Sequence, residues 1–148
     1  KSDPEAVAET IENNVRSKII TDHLLDPAFF GDMSALLASI IKERKEQALN
    51  YQEYLKKIAD LAKRVFEGKS ENTPSSLKTQ AQRVLYNNLG KDEALAINVD
   101  AAVTRVKKAD FRGNLQKENE IKAEIYKIIP NVDEVNRIFE IIKQQRDY

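Results

Sequence analysis

The feature that most constrains this chain is its shortage of residues that interrupt regular structure. Its 148 residues include only four glycines and four prolines, so the elements between these breaks must be long. No run of β-branched residues alternates with polar ones, as a half-buried strand would require. Apolar residues recur instead at spacings of three and four, which predicts an all-α fold.

Capping signals place the first three predicted helices. The first begins at Ser2 or Asp3, with Pro4 in its first turn, where a missing N–H has no consequence. Asp26 followed by Pro27 repeats this start signal for a second helix, which ends in the charged residues 42–46. A third helix opens and closes on two recognisable signals: a capping box formed by Asn50 and Glu53, and Gly68 at its end.

Four more helices are predicted beyond the loop of residues 67–76, which is rich in turn-forming residue types. The fourth helix is expected to start near Ser75 or Ser76 and to stop at Leu89 and Gly90, and the fifth covers about 92–108. The sixth runs to about Ile129, and Asp133 caps the seventh. We therefore expect one domain over residues 1–148, an irregular orthogonal bundle of about seven helices. The loop divides it into layers 1–68 and 75–148.

Composition excludes several kinds of protein. Lys plus Arg equals Asp plus Glu at 24 each, so no overall field directs the chain to nucleic acid or to a membrane surface. The absence of cysteine excludes disulfides and zinc–thiolate sites and fits a cytoplasmic protein. No apolar run approaches the ~20 residues of a membrane-spanning helix. A chain that begins at Lys1 rather than Met is expected to be a piece of a longer polypeptide.

No residue pattern predicts a catalytic or metal site. Gly68, Lys69 and Ser70 resemble the end of a phosphate-binding loop, but the first glycine of that motif would fall on Lys63, and the preceding segment has the pattern of a helix rather than a strand. A helix-ending glycine is the preferred interpretation. His23 is the only histidine, so it cannot form a two-histidine metal site. The carboxylates alternate with lysines as on exposed helix faces.

One local stretch is rich in bases. Residues 105–127 contain four acids and seven bases, namely Arg105, Lys107, Lys108, Arg112, Lys117, Lys122 and Lys127. Bases beside the aromatic Phe111 suggest contact with a nucleic-acid backbone or a nucleotide phosphate through Arg105, Lys107, Lys108 and Arg112. The alternative is structural: Phe111 fills the core, Arg112 caps a helix end or pairs with an acid, and the lysines keep the surface soluble.

Four segments together resemble the C-terminal region of the motor subunit of type I restriction enzymes. They are residues 9–20 (ETIENNVRSKII), 51–65 (YQEYLKKIADLAKRV), 86–90 (YNNLG) and 110–114 (DFRGN). Order and approximate spacing match over nearly the whole chain. Where this chain has Phe111, the family commonly has Trp, so an aromatic group is kept and an indole N–H is lost.

The resemblance implies a module without its own chemistry. The parent polypeptide would be an ATP- and Mg²⁺-dependent deoxyribonuclease that translocates DNA, with its nuclease and ATPase motifs upstream of this segment. No cofactor is expected in the module itself. Its implied task is to dock the motor onto the methyltransferase and specificity subunits, with DNA as a further partner.

Protein docking sites combine polar rims with aromatic or Arg anchors, which makes Tyr51, Tyr54, Tyr86 and Phe111 the candidate anchors. Two other hypotheses stay open. The first is a ligand-binding module, with a pocket around residues 86–114 that uses Arg112 and Tyr86 as polar anchors. The second is direct DNA contact through residues 105–127.

Overall fold

A computed structural model describes residues 3–148 of the chain, and in this part of the chain all regular structure is helical, without a strand. Its elements are α1 (Pro4–Asp22), a short 3-10 helix (His23–Leu25), α2 (Pro27–Lys45), α3 (Tyr51–Glu67), α4 (Gln80–Asn88), α5 (Glu93–Val106), α6 (Leu115–Ile128) and α7 (Val132–Lys143). The prediction of an all-α fold with about seven helices is confirmed. None of the described helices is long and apolar enough to span a membrane.

Several predicted caps are present. The Asp3 carboxylate accepts a hydrogen bond from the Ala6 N–H at 2.8 Å, whereas Ser2, the other predicted cap, lies outside the described residues. Asn50 and Glu53 form the predicted capping box at the start of α3. Gly68 ends that helix with φ +71°, a left-handed conformation that glycine adopts without steric cost.

Two predicted helix starts are wrong. Helix α4 begins at Gln80 rather than near Ser75, because a turn closed by a bond from the Leu77 N–H to the Pro74 carbonyl precedes it. Thr79 then forms a capping box with Gln82. Helix α7 is capped by Asn131, so Asp133 lies within its first turn. The sequence pattern missed both because neighbouring residues have equal capping ability.

The described residues group into two compact units. The first unit contains α1, α2 and α3, from residues up to His23 and from Pro27–Glu71. Both α1 and α2 pack against α3. Its core consists of one apolar stripe from each helix: Ala8, Val15, Ile19, Phe29, Phe30, Met33, Leu37, Ile40, Tyr54, Ile58, Leu61 and Val65.

The second unit contains α4 to α7, from Asn72–Tyr148, together with Leu24–Asp26. Its buried core is Val84, Leu85, Leu89, Ala96, Val99, Val103, Phe111, Ile121, Ile125, Val135, Ile138, Phe139, Ile141 and Ile142. The boundary between the units lies in the predicted loop of residues 67–76.

A buried polar cluster attaches Leu24–Asp26 to the second unit. The Asp26 carboxylate accepts hydrogen bonds from the side-chain amides of Asn88 at 2.7 Å and Asn87 at 2.9 Å. The Gln145 amide donates to the Leu25 carbonyl at 2.8 Å. Asp26, Asn88 and Gln145 are each less than 10% exposed. Because water cannot reach these polar side chains, the hydrogen bonds supply the partners that they need.

We expect Thr79→Ala to lower the free energy of unfolding by about 1 kcal/mol, because the Gln82 N–H loses its hydroxyl acceptor. Thr79→Ser keeps the hydroxyl and should stay close to wild type. Urea denaturation followed by circular dichroism measures both. Equal stability of the alanine and serine variants would contradict the role of this cap.

Candidate functional site

Residues 110–114 form a tight corner between α5 and α6, and the side chain of Phe111 fills the core of the second unit. Phe111 is 1% exposed and meets the ring of Phe139 edge-on, with the centroids 6.3 Å apart. Gly113 adopts φ +83° within the corner. Phe111 is therefore a core residue, as the structural alternative predicted, and its side chain offers almost no surface to a docking partner.

Arg112 holds the C-terminal segment of the chain. Its guanidinium donates to the carbonyls of Lys143 at 2.7 Å, Gln145 at 2.7 Å and Tyr148 at 3.3 Å, and it stacks over the Phe111 ring at 4.5 Å. These carbonyls belong to the last residue of α7 and to the segment that follows it, where backbone oxygens lack partners within the helix. Arg112 thus caps a helix end, as the structural alternative predicted, and these three donor groups point at backbone.

Acids on α6 pair with bases that were candidates for phosphate contact. Arg105 lies 3.3 Å from the Glu124 carboxylate, and Lys108 lies 2.8 Å from that of Glu120. Lys127 approaches Glu124 at 2.6 Å, and the hydrogen bonds from Lys127 and Arg105 lower the pKa of Glu124. This charge compensation between α5 and α6 weakens the attraction that a phosphate backbone would feel here.

The three remaining bases of the stretch also have contacts within the second unit. The Lys117 ammonium donates to the Ala109 carbonyl at 3.0 Å, and Lys122 lies 5.0 Å from the centre of the Phe139 ring. Lys107 ends α5 through its backbone N–H, which donates to Val103. The structure therefore does not bring Arg105, Lys107, Lys108 and Arg112 together around one site.

The three candidate tyrosines occupy different environments. Tyr54 is 2% exposed and its hydroxyl donates to Glu12. Burial, followed by the Glu12 hydrogen bond, raises its pKa well above the ordinary value. The Tyr54 side chain therefore offers almost no surface to a docking partner. Tyr86 is half-buried against the core of the second unit, and only Tyr51 is exposed, where it contacts Arg44.

The first unit has an open groove between α1 and α2, which we call the α1–α2 groove. Its volume is about 640 Å³. The lining residues are Arg16, Ile19, Ile20, Ser34, Leu37, Ala38, Ile41, Lys42, Lys45 and Glu46. The floor is aliphatic, and the bases lie at the rim. Ile20 is 73% exposed, although burial of a large aliphatic side chain is energetically favourable.

A smaller polar hollow adjoins this groove and shares Arg16, Ile41 and Lys45 with it. Its volume is about 410 Å³, and Glu9, Glu12 and Arg44 are among its other lining residues. Within it, Arg16 pairs with Glu12 at 3.3 Å. This pair compensates the charge of Arg16, a residue that lines both the hollow and the groove.

Sequence patterns did not identify the groove, although they contain a trace of it. Ile19 and Ile20, and likewise Ile40 and Ile41, are adjacent apolar pairs. In each pair one residue is buried and its neighbour is more exposed. A helix with two adjacent apolar residues has an apolar face wider than one core needs. This extra width is the sequence feature that could have predicted exposed apolar surface.

Two further sequence features concern a phosphate-binding loop and metal ligands. Gly68 ends a helix, so the strand that a phosphate-binding loop requires is replaced by α3. No group of three potential metal-ligating side chains occurs among residues 3–148. No protein-family model matches this chain, and neither does any curated protein or solved structure to which it was compared.

We expect Arg112→Ala to lower the free energy of unfolding by about 2 kcal/mol, because carbonyls beyond α7 lose charge-assisted hydrogen bonds. Arg112→Lys should recover less than half of this loss, since an ammonium cannot reproduce the planar fork. Arg146→Ala, at an exposed position nearby, is the control and should change stability by less than about 0.5 kcal/mol. Chemical denaturation measures all three variants.

We expect Tyr54→Phe to change how stability depends on alkaline pH. The raised pKa means that the folded chain keeps the phenol protonated while the unfolded chain ionises near its ordinary value of about 10. The contribution of the Tyr54 phenol to the free energy of unfolding is therefore fully present below pH 10, and it falls as pH rises toward the folded-state pKa.

The phenylalanine variant should unfold more easily at pH 7, by about 1 kcal/mol, and lose stability less steeply between pH 10 and pH 11. Tyr126→Phe, at an exposed position, is the control for both measurements. Parallel pH profiles of Tyr54→Phe and wild type would show that the Tyr54 phenol does not titrate differently on folding.

Proposed function

We propose that this chain is the C-terminal docking module of the motor subunit of a type I restriction enzyme. In this proposal the module has no activity of its own and links the motor to the methyltransferase and specificity subunits. The parent polypeptide supplies the ATP- and Mg²⁺-dependent translocation and cleavage of DNA. The sequence resemblance suggests the family, and the surface of the first unit supports the docking role.

The observation that carries the proposal is the open α1–α2 groove. Part of it belongs to residues 9–20, one of the segments in which the resemblance was found, and Arg16, Ile19 and Ile20 of that segment line the groove. Exposed aliphatic surface with a polar rim is typical of protein interfaces. A docking module needs such a surface, whereas a purely structural segment would bury it.

The two alternatives have less support from the geometry. A ligand pocket with Arg112 and Tyr86 as anchors is disfavoured because Arg112 donates to three backbone carbonyls. DNA contact through residues 105–127 is disfavoured because Arg105 and Lys108 are paired with acids. The resemblance segments 86–90 and 110–114 instead have roles within the second unit, through Asn88 and Arg112.

The docking role predicts competition. Excess chain, added to the methyltransferase core before the full motor subunit, should occupy the docking surface and slow ATP-dependent DNA translocation in proportion to its concentration. Sedimentation velocity should show the chain bound to the core without DNA. If the chain neither sediments with the core nor inhibits translocation, the proposed function is wrong. Binding to DNA alone, with a steep salt dependence, would favour the DNA-contact hypothesis instead.

A further inference from the structure

The α1–α2 groove is an open aliphatic surface between two helices. Two helices form its walls, and no α3 residue is among its lining side chains, although α3 packs against both walls elsewhere. Three packed helices with one open aliphatic groove can accept a fourth, as in bundles that pack amphipathic helices side by side. Residues Ile19, Leu37 and Ile41 provide apolar contacts along the groove.

The rim of the groove is basic, which constrains the charge of its occupant. Arg16, Lys42 and Lys45 lie there with one acid, Glu46, and Arg16 is already paired with Glu12 of the adjoining hollow at 3.3 Å. Lys42 and Glu46 are 4.0 Å apart, on exposed side chains, where such a pair is worth little. Within residues 3–148, no acid forms an ion pair with Lys45. An acidic flank on the occupant would therefore find uncompensated positive charge at Lys45 and weakly compensated charge at Lys42.

We propose that the α1–α2 groove receives an amphipathic helix with acidic flanks, contributed by the methyltransferase core. This inference rests on the proposed docking function and adds the docking face and the chemistry of the partner's contact surface. The apolar face of that helix covers Ile20 and the aliphatic floor. Its acidic residues lie beside Arg16, Lys42 and Lys45.

Three single substitutions test the groove without disturbing the core. Ile20→Ser removes an aliphatic side chain that is 73% exposed. Ala38→Trp fills the groove at an exposed position and leaves its charge unchanged. Lys45→Glu reverses the charge at the rim. Circular dichroism and thermal unfolding should match wild type for all three, since none of these side chains is buried.

Matched controls lie away from the groove. Leu115→Ser removes an aliphatic side chain that is 72% exposed, but from the second unit. Lys63→Glu reverses an exposed charge on α3, a helix that does not line the groove. The measurement is the Kd of each variant of the full chain for the reconstituted methyltransferase core, by sedimentation or by fluorescence anisotropy, at two salt concentrations.

We expect Ile20→Ser and Ala38→Trp to weaken binding about tenfold or more at both salt concentrations, since central apolar contacts dominate interface energies. Lys45→Glu should weaken binding severalfold at low salt and less at high salt, because salt screens exposed charges. Both control variants should bind like wild type.

The remaining outcomes separate the inference from the function on which it rests. If wild type binds the core and the groove variants bind equally well, the groove is not the docking face, while the docking function stands. If Lys45→Glu binds more tightly, the partner surface is not acidic and the inference is wrong. If wild type does not bind the core, both are wrong. If wild type self-associates and Ile20→Ser abolishes this, a second copy covers the groove and the inference is wrong.

Discussion

The burial of single apolar helix faces is the constraint on which the rest of this structure depends. Each of the seven helices carries one such stripe, and helices of this length are marginal when isolated in water. Stability therefore comes from packing several stripes together. In the first unit α1 and α2 both bury their stripes against α3, and in the second unit Phe111, Ile125 and Phe139 are among the side chains that form a separate core.

Polar bonds then select one arrangement among the ways in which such stripes could pack. Arg112 binds carbonyls that follow α7, and Asp26 binds the amides of Asn87 and Asn88. A packing that separated Asp26 from Asn88 would leave buried polar groups unsatisfied, at a cost of about 1–3 kcal/mol each. The segments 86–90 and 110–114, where the family resemblance is concentrated in the second unit, thus contain residues that specify the fold.

The distribution of charge indicates which surfaces could contact a partner. Arg105 of α5 pairs with Glu124 of α6, and Lys108, which follows α5, pairs with Glu120 of α6. The stretch that looked most suited to phosphate contact is therefore largely compensated. In the α1–α2 groove, exposed aliphatic surface coincides with a rim on which bases outnumber acids. That coincidence is the basis on which we infer a protein partner rather than a nucleic acid.

The sequence by itself determined the helical class, most helix limits and caps such as Asn50 with Glu53 and Gly68, because these depend on interactions within four or five residues. Only the tertiary structure decided that Tyr54 is buried and that Arg112 binds carbonyls 31 to 36 residues away. It also decided where apolar surface remains open. Periodicity defines the face of each helix, but the neighbour that covers the face depends on packing between distant segments.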